Sequence, residues 1–142
     1  MSAMASSTAL TDSITLGVSL ACPWDKALAF LSDPAHMPQW ASGLGGSLTQ
    51  EDGQWIAEGP LGRVSIRFEP PNDLGVLDHT VTLPDGQQSY NPMRLIRDAG
   101  GSACILLFTL LRQPGVRDEQ FQADADWVRK DLATLKALLG QD

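Results

Sequence analysis

The sequence predicts an α+β fold in which an antiparallel sheet packs against a long C-terminal helix. Three observations predict it: apolar and polar residues alternate over positions 14–20, turn signals separate short strand-like segments over positions 47–112, and an apolar stripe of helical period runs over positions 118–139. The order is one strand, two short helices, six further antiparallel strands and one long helix. We therefore expect about seven strands.

The first predicted unit is a strand followed by two short helices. In residues 14–20 the apolar side chains fall at every second position, which is the period of a strand with one buried face. Pro23 is tolerated in the first turn of a helix, and Trp24 and two leucines follow at helical spacing. The segment S-D-P-A-H-M-P-Q-W at residues 32–40 closes the unit. We expect Trp24 and Trp40 to pack the helical pair against the sheet.

Turn signals divide the next stretch into strands. Asp52-Gly53 is a two-residue hairpin signature between two short strands. Residues 62–69 and 74–83 are the next two strands, separated by a pair of prolines and ended by the turn P-D-G-Q. One face of the first of these strands carries the apolar residues Val64, Ile66 and Phe68.

A last hairpin joins residues 89–97 to residues 103–112 across a glycine-rich turn. Pro92 lacks an amide donor, which indicates a strand edge or a bulge. Neither alternate set of residues 89–97 is purely apolar, so the facing of this strand stays open.

The C-terminal helix is predicted from its stripe and its ends. Asp118 suits the N-cap and Gly140 is placed to end the helix. The apolar stripe consists of Phe121, Ala125, Val128, Leu132, Leu135 and Leu139.

The strand, the short helix and the D-P…P-x-W segment at residues 33–40 resemble the opening of the START-related helix-grip superfamily (SRPBCC). This superfamily includes birch-pollen-allergen-like proteins, polyketide cyclase/dehydrase-like proteins and lipid carriers. The element order extends the resemblance over residues 13–139, and N-P-M-R at residues 91–94 looks like a pattern of some polyketide-cyclase-like proteins. The resemblance implies a curved sheet that wraps around the C-terminal helix and encloses an internal cavity. We expect a flexible tail over residues 1–12 and a single START-like ligand-binding domain over residues 13–142.

Composition excludes some classes of partner. At 142 residues the chain is long enough for one domain with a sizeable core. Its formal net charge of −7 opposes binding to nucleic acid and to anionic membrane surfaces, since both need a basic face.

The sequence also predicts a cytoplasmic location. The first twelve residues contain no basic residue and no sustained apolar run, so we expect no signal peptide. No stretch approaches the roughly 20 apolar residues that a membrane span requires, so we expect no membrane insertion. Cys22 and Cys104 are far apart in the sequence and are expected to be buried free thiols.

His79 is the first candidate for chemistry. Alternation puts His79 on the apolar face of the strand at residues 74–83 and puts Val76, Asp78, Thr80 and Thr82 on the outer face. A histidine among aliphatic residues is commonly a satisfied core residue. In a hollow fold it is instead a ligand contact or a general acid/base near neutral pH.

Asp124 is the second candidate. It falls near the apolar stripe of the C-terminal helix, one turn from Phe121 and Val128. Early in a helix an acidic residue commonly complements the helix dipole. If Asp124 faces the cavity, it pairs with His79 and orients the imidazole, which makes His79 and Asp124 the candidate catalytic pair.

A wider set of residues is predicted to contact a ligand, because pocket linings are mostly apolar and aromatic. The predicted ligand-binding residues are Trp55, Phe68, His79, Val81, Tyr90, Asn91, Met93, Phe108, Phe121, Asp124, Trp127 and Val128. The histidines and cysteines offer no short-range pair of metal ligands, so we expect no metal and no cofactor.

Three functions follow from these observations. The first is binding or carriage of a hydrophobic or aromatic small molecule in the cavity. The second is a polyketide cyclase/dehydrase-like activity that uses His79 as acid/base, and the third is a protein-interaction module with a filled interior. We expect the chain to be a monomer or a homodimer.

Overall fold

The computed structural model describes residues 11–140. The predicted N-terminal tail therefore lies almost entirely outside the described residues. The strands are β1 (Ser13–Leu20), β2 (Thr49–Glu51), β3 (Gln54–Gly59), β4 (Gly62–Phe68), β5 (His79–Thr82), β6 (Gln88–Asn91), β7 (Met93–Arg97) and β8 (Cys104–Leu111). The helices are α1 (Trp24–Leu31), two 3-10 helices (Pro34–Gln39 and Ser42–Leu44) and the long α2 (Asp118–Leu139).

The strands form two antiparallel sheets that share one core. One has the order β1-β8-β7 and the other has the order β2-β3-β4-β5-β6. The sheets meet at Pro92, between β6 and β7, where the amide of Thr109 donates to the Pro92 carbonyl at 2.9 Å. The α+β class and the long C-terminal helix are confirmed.

The strand count differs from the prediction because the segment expected at residues 89–97 is two strands. β6 pairs with β5, whereas β7 pairs with β8 in the other sheet. Pro92 lies between them and cannot donate to a ladder, so the chain changes sheets at this residue. The irregularity that the sequence indicated at Pro92 is thus the point where the chain passes from one sheet to the other.

The predicted strand at residues 74–83 is wrong over its first half, since only His79–Thr82 is a strand. The Asn72 side chain takes up backbone groups that a ladder would otherwise pair. Its Oδ1 accepts from the amides of Leu74 and Val76 at 2.9 and 3.2 Å, and its Nδ2 donates to the Val76 carbonyl at 2.9 Å. A side chain of this type competes with regular structure for the backbone. One isolated bridge, from Val76 to Arg94, and the side chain of Asp78 tie this segment to β7.

The ends of α2 show one correction and one confirmation. Arg117, not Asp118, is the N-cap, because the Arg117 backbone is extended and the helix begins at Asp118. The Asp118 carboxylate instead accepts from Arg112 Nη1 at 2.7 Å. Gly140 ends the helix with φ of 125°, and its carbonyl accepts from the Ala21 amide at 3.1 Å.

The core lies between the sheets, α1 and α2. From α2 the fully or nearly fully buried residues are Phe121, Ala125, Leu132 and Leu135. Val128 and Leu139, predicted in the same stripe, are only partly buried. Trp24 and Trp40 are each 6% exposed, which confirms their predicted place in the core. Cys22 and Cys104 are buried free thiols, as predicted.

Candidate ligand-binding cavity

A cavity of about 390 Å³ lies between the five-stranded sheet, the 3-10 helices and α2. This volume is within the range of small-molecule sites. Its apolar lining comes from Met37, Trp40, Ala41, Leu44, Leu61, Val64, Ile66, Val81, Leu83, Phe108, Leu110, Val116, Trp127 and Val128. Its polar lining comes from His79, Gln87, Ser89, Asn91, Gln113, Asp124 and Asp131.

Strand register places one face of β4, β5 and β6 toward the cavity. Ile66, Val81 and Ser89 are direct partners across the three strands, and His79 and Asn91 are partners one step further along. Because side chains alternate across a strand, all five residues lie on the same face. Thr80 and Thr82 alternate to the opposite face, as the sequence predicts.

His79 lies on the inward face among aromatic side chains. It is 3% exposed, and its ring lies 5.9 Å from that of Phe68 and 6.1 Å from that of Phe108. Nδ1 lies 3.2 Å from the carbonyl oxygen of Leu77. A carbonyl can only accept, so Nδ1 carries the hydrogen in this contact.

The remaining ring nitrogen of His79, Nε2, has no protein partner within residues 11–140. Burial lowers the pKa of His79, which keeps the imidazole neutral near pH 7. In the neutral ring with hydrogen on Nδ1, Nε2 is a hydrogen-bond acceptor. In the described part of the chain every fully enclosed side-chain nitrogen or oxygen has a hydrogen-bond partner. Nε2 therefore borders open space, and His79 lines both the 390 Å³ cavity and a small void of about 20 Å³.

Asn91 stands beside His79. It is 8% exposed, and its Oδ1 accepts from the Ser89 hydroxyl at 3.4 Å. No protein acceptor for its Nδ2 occurs within residues 11–140. The pair thus offers one acceptor and one donor from neighbouring strands.

The mouth of the cavity lies where the second 3-10 helix meets α2. Leu61 and Trp127 are 48% and 43% exposed and both lie close to Gly43. Trp127 Nε1 donates to the Ser42 hydroxyl at 2.6 Å, and this hydroxyl donates to Asp131 Oδ1 at 2.8 Å. Burial raises the pKa of the Asp131 carboxyl, and its hydrogen bonds with Ser42 oppose that rise. These bonds connect the 3-10 helix to α2 at the opening.

Asp124 lines the same cavity as His79, but no hydrogen bond joins them. Asp124 Oδ1 accepts from Gln120 Nε2 at 2.7 Å, one turn earlier on α2. His79 uses Nδ1 for the Leu77 carbonyl. Neither residue orients the other in this structure.

The structure separates the predicted ligand-binding residues into groups. The residues that line the 390 Å³ cavity are His79, Val81, Asn91, Phe108, Asp124, Trp127 and Val128. Phe68 and Met93 line a small void of about 20 Å³ that His79 also borders. Trp55 lies on a separate groove beside Phe68 and Pro34.

Tyr90 and Phe121 do not line any of these spaces. Tyr90 pairs with Thr80 on the outer face of the sheet, so alternation turns it away from the cavity. It is 45% exposed, and its hydroxyl donates to Asp78 at 2.7 Å. Phe121 is buried, with the Arg112 guanidinium 5.6 Å from its ring centroid.

The burial of Asp78 and part of the cavity wall were not predicted from the sequence. Asp78, assigned to the outer face, is 6% exposed because Arg94, Tyr90 and the Met93 amide surround its carboxylate. The cavity wall also includes Ala41 and Leu44, in and beside the second 3-10 helix. Neither residue belongs to a periodic pattern, so no sequence signal identified them.

The comparison with known proteins rests on solved structures. No family model and no curated protein matches the chain. A START superfamily protein from Mycobacterium smegmatis is similar with a TM-score of 0.68 at 12% identity, over 89% of this chain and 96% of that one. Ara h 8.0201 is similar with a TM-score of 0.61 at 13% identity, over 92% and 98% of the two chains. DynU16, a protein of the dynemicin biosynthetic locus, gives 0.66 at 20% identity, over 90% of this chain and 47% of that one.

These likenesses cover nearly the whole described chain, at identities that show the fold alone. They agree with the order of elements, in which antiparallel strands precede one long C-terminal helix. No helix in residues 11–140 is long and apolar enough to cross a membrane. The chain has the helix-grip fold that START-superfamily and birch-pollen-allergen-like proteins share.

Proposed function

We propose that this protein binds or carries a hydrophobic or aromatic small molecule in the cavity between the five-stranded sheet and α2. The observation that carries the proposal is the cavity itself, which has about 390 Å³ of space and a mainly apolar wall. A wall of this kind is typical of small-molecule sites. An interaction module with a filled interior has no need of such a space.

The fold neighbours support the same proposal at a coarser level. One of them is a START superfamily protein and another comes from a biosynthetic locus. Buried free thiols at Cys22 and Cys104 are typical of reducing compartments, which favours a cytoplasmic location.

The proposal is tested by filling the cavity. N-phenyl-1-naphthylamine is an uncharged probe whose fluorescence rises in apolar surroundings. Val81 lies on the cavity wall, whereas Thr80 lies on the opposite face of the same strand. We expect Val81→Phe to weaken probe binding by about tenfold or more, which corresponds to roughly 1.4 kcal/mol. Thr80→Phe is the matched control and should leave binding unchanged.

The test has a clear adverse outcome. If wild type fails to bind the probe, or if both variants bind as wild type does, the cavity is not a binding site. Native mass spectrometry of freshly purified protein provides a second readout, since a retained small molecule adds a discrete mass. Circular dichroism checks that both variants are folded.

A cyclase/dehydrase-like activity is a second candidate, and one observation favours it. Neutral His79 lines the cavity and leaves Nε2 unprotonated, which is the state that a general base requires. A linear poly-β-ketone offered as substrate should then lose water or cyclise, as followed by mass spectrometry and absorbance. His79→Gln should abolish this turnover while probe binding persists. An unchanged rate in His79→Gln would remove the acid/base role.

A further inference from the structure

A purely apolar ligand does not account for the two polar residues, His79 and Asn91, on the inner wall of the cavity. His79 and Asn91 are cross-strand partners, so their side chains start roughly 5 Å apart on the same face. Both are more than nine-tenths buried and both line the cavity. A ligand that covers His79 Nε2 and Asn91 Nδ2 without hydrogen bonding to them would leave buried polar groups without partners, which is costly, so a ligand that pairs with them gains over one that does not.

The two residues offer complementary hydrogen-bonding groups. With its hydrogen on Nδ1 toward the Leu77 carbonyl, His79 presents Nε2 as an acceptor. Asn91 keeps its Oδ1 toward Ser89, which leaves Nδ2 as a donor. A hydroxyl group can serve both, because its hydrogen donates to Nε2 while its oxygen accepts from Nδ2. A carbonyl or ether oxygen can accept from Asn91 but has nothing to donate to His79.

The charged residues of the cavity lining restrict the charge of the ligand. The cavity lining contains two carboxylates, Asp124 and Asp131, and no lysine or arginine from residues 11–140. Burial raises the pKa of the Asp131 carboxyl, so this side of the wall already disfavours negative charge. A ligand carboxylate would enter this space without a counter-charge, and burying an unpaired charge is strongly unfavourable. An uncharged molecule carries no charge into this space, and a cationic molecule has the two carboxylates as counter-charges.

We propose that the cavity selects an apolar molecule that is uncharged or cationic and bears a hydroxyl group, which donates to His79 Nε2 and accepts from Asn91 Nδ2. The inference deepens the proposed binding function and rests on it. Phenols and alicyclic alcohols belong to this class, whereas fatty acids and aromatic acids do not.

Three probes of equal skeleton test the proposal on the full chain: naphthalene, 2-naphthol and 2-naphthoate. Their affinities are measured at pH 7 by displacement of N-phenyl-1-naphthylamine. We expect 2-naphthol to bind about tenfold more tightly than naphthalene, as one buried hydrogen-bonded group provides. We expect 2-naphthoate to bind at least tenfold more weakly than 2-naphthol. The proposal fails if naphthalene binds as tightly as 2-naphthol, or if 2-naphthoate does.

Substitutions at His79 and Asn91 test whether these residues cause the preference for a hydroxyl group. In His79→Leu and, separately, in Asn91→Leu, the affinity ratio of 2-naphthol to naphthalene should fall toward one while naphthalene itself still binds. Thr80→Val, on the opposite face of β5, should keep the wild-type ratio. A ratio that stays at its wild-type value in both folded variants would overturn the assignment.

Different results would refute the binding function and the hydroxyl preference. If none of the probes binds to wild type, the binding function itself falls. If naphthalene and 2-naphthol bind equally and Val81→Phe excludes both, the cavity binds ligands without the hydroxyl contact. Because the preference is a ratio measured within each variant, a general loss of stability does not imitate it, and thermal unfolding confirms that each variant is folded.

Discussion

Asp78 and Arg94 form a two-point ion pair directly beside the cavity wall. Oδ1 accepts from Arg94 Nε at 2.9 Å, and Oδ2 accepts from Nη2 at 2.7 Å. The Tyr90 hydroxyl at 2.7 Å and the Met93 amide at 2.8 Å complete the contacts of the carboxylate. Asp78 immediately precedes His79, so this ion pair fixes the irregular segment against β7 at the residue before the cavity histidine.

Loss of the Asp78 charge should destabilise the fold. Asp78→Asn removes the ion pair and leaves Arg94 without its partner, and we expect a loss of about 2 kcal/mol in the free energy of unfolding. Glu58→Gln is the control, because Glu58 pairs with Arg63 on the exposed surface at 2.8 Å and should cost less than about 1 kcal/mol. Chemical denaturation measures both. Equal effects would show that the ion pair of the buried Asp78 contributes no more than a surface pair.

The same ion pair predicts that the stability of the protein depends on pH in the acidic range. Hydrogen bonding from Arg94 lowers the pKa of Asp78 from 3.8 to about 2, against the opposing effect of burial. A carboxyl whose pKa is lower when folded contributes stability that is complete above the unfolded pKa and is lost as pH falls through the folded pKa. The stability difference between wild type and Asp78→Asn should therefore shrink between about pH 4 and pH 2. A difference that is constant over this window would contradict the prediction.

His79 predicts a second effect of pH, at higher values. Burial lowers the pKa of His79 below 6.5, so protonation favours the unfolded chain. The stability of wild type should be unaffected by His79 above pH 6.5 and should fall as the pH drops below it. His79→Phe removes the titrating group, so its stability should fall less over the same interval. Parallel pH profiles for the two proteins would show that the imidazole is not desolvated.

The stripe of α2 predicts a large effect at Leu132. Leu132 is 3% exposed, and its replacement by alanine should cost on the order of 2–5 kcal/mol. Leu138 lies on the same helix but is 46% exposed, so Leu138→Ala should change stability by less than about 1 kcal/mol. A loss below about 0.5 kcal/mol for Leu132→Ala would place the stripe outside the core.

Gly140 predicts a cost that depends on the backbone and on packing. Its φ of 125° is unfavourable for other residues. An added Cβ would clash with the carbonyl oxygen of Ala21, and the amide of Ala21 donates to the Gly140 carbonyl. We expect Gly140→Ala to destabilise the protein by about 1–3 kcal/mol. Gly100 has ordinary backbone angles and open space around it, so Gly100→Ala is the control and should be nearly neutral.

Much of the fold was predictable because it depends on local periodicity. Alternation over β1 and β4, the Asp52-Gly53 turn and the stripe of α2 each act within a few residues, and each matches the structure. The inward direction of His79 follows from the same alternation and is confirmed by its burial. A one-residue slip would have reversed it.

Other features were decided by contacts between residues distant in the sequence. The side chain of Asn72 stops the strand before β5, and the change of sheets at Pro92 becomes visible only when β6 and β7 find different partners. Asp78 is buried because Arg94, sixteen residues later, neutralises it.

The sequence alone determined the class of fold, the long C-terminal helix and the residue type that faces inward on β5, since period and turn chemistry are local. Only the tertiary structure decided that Asp124 and His79 line one cavity without bonding to each other, that Tyr90 faces outward, and that a 3-10 helix forms part of the wall. The physical reason is that a cavity is a volume between elements. Its shape and lining depend on how the sheets, the 3-10 helices and α2 pack together, which no local pattern contains.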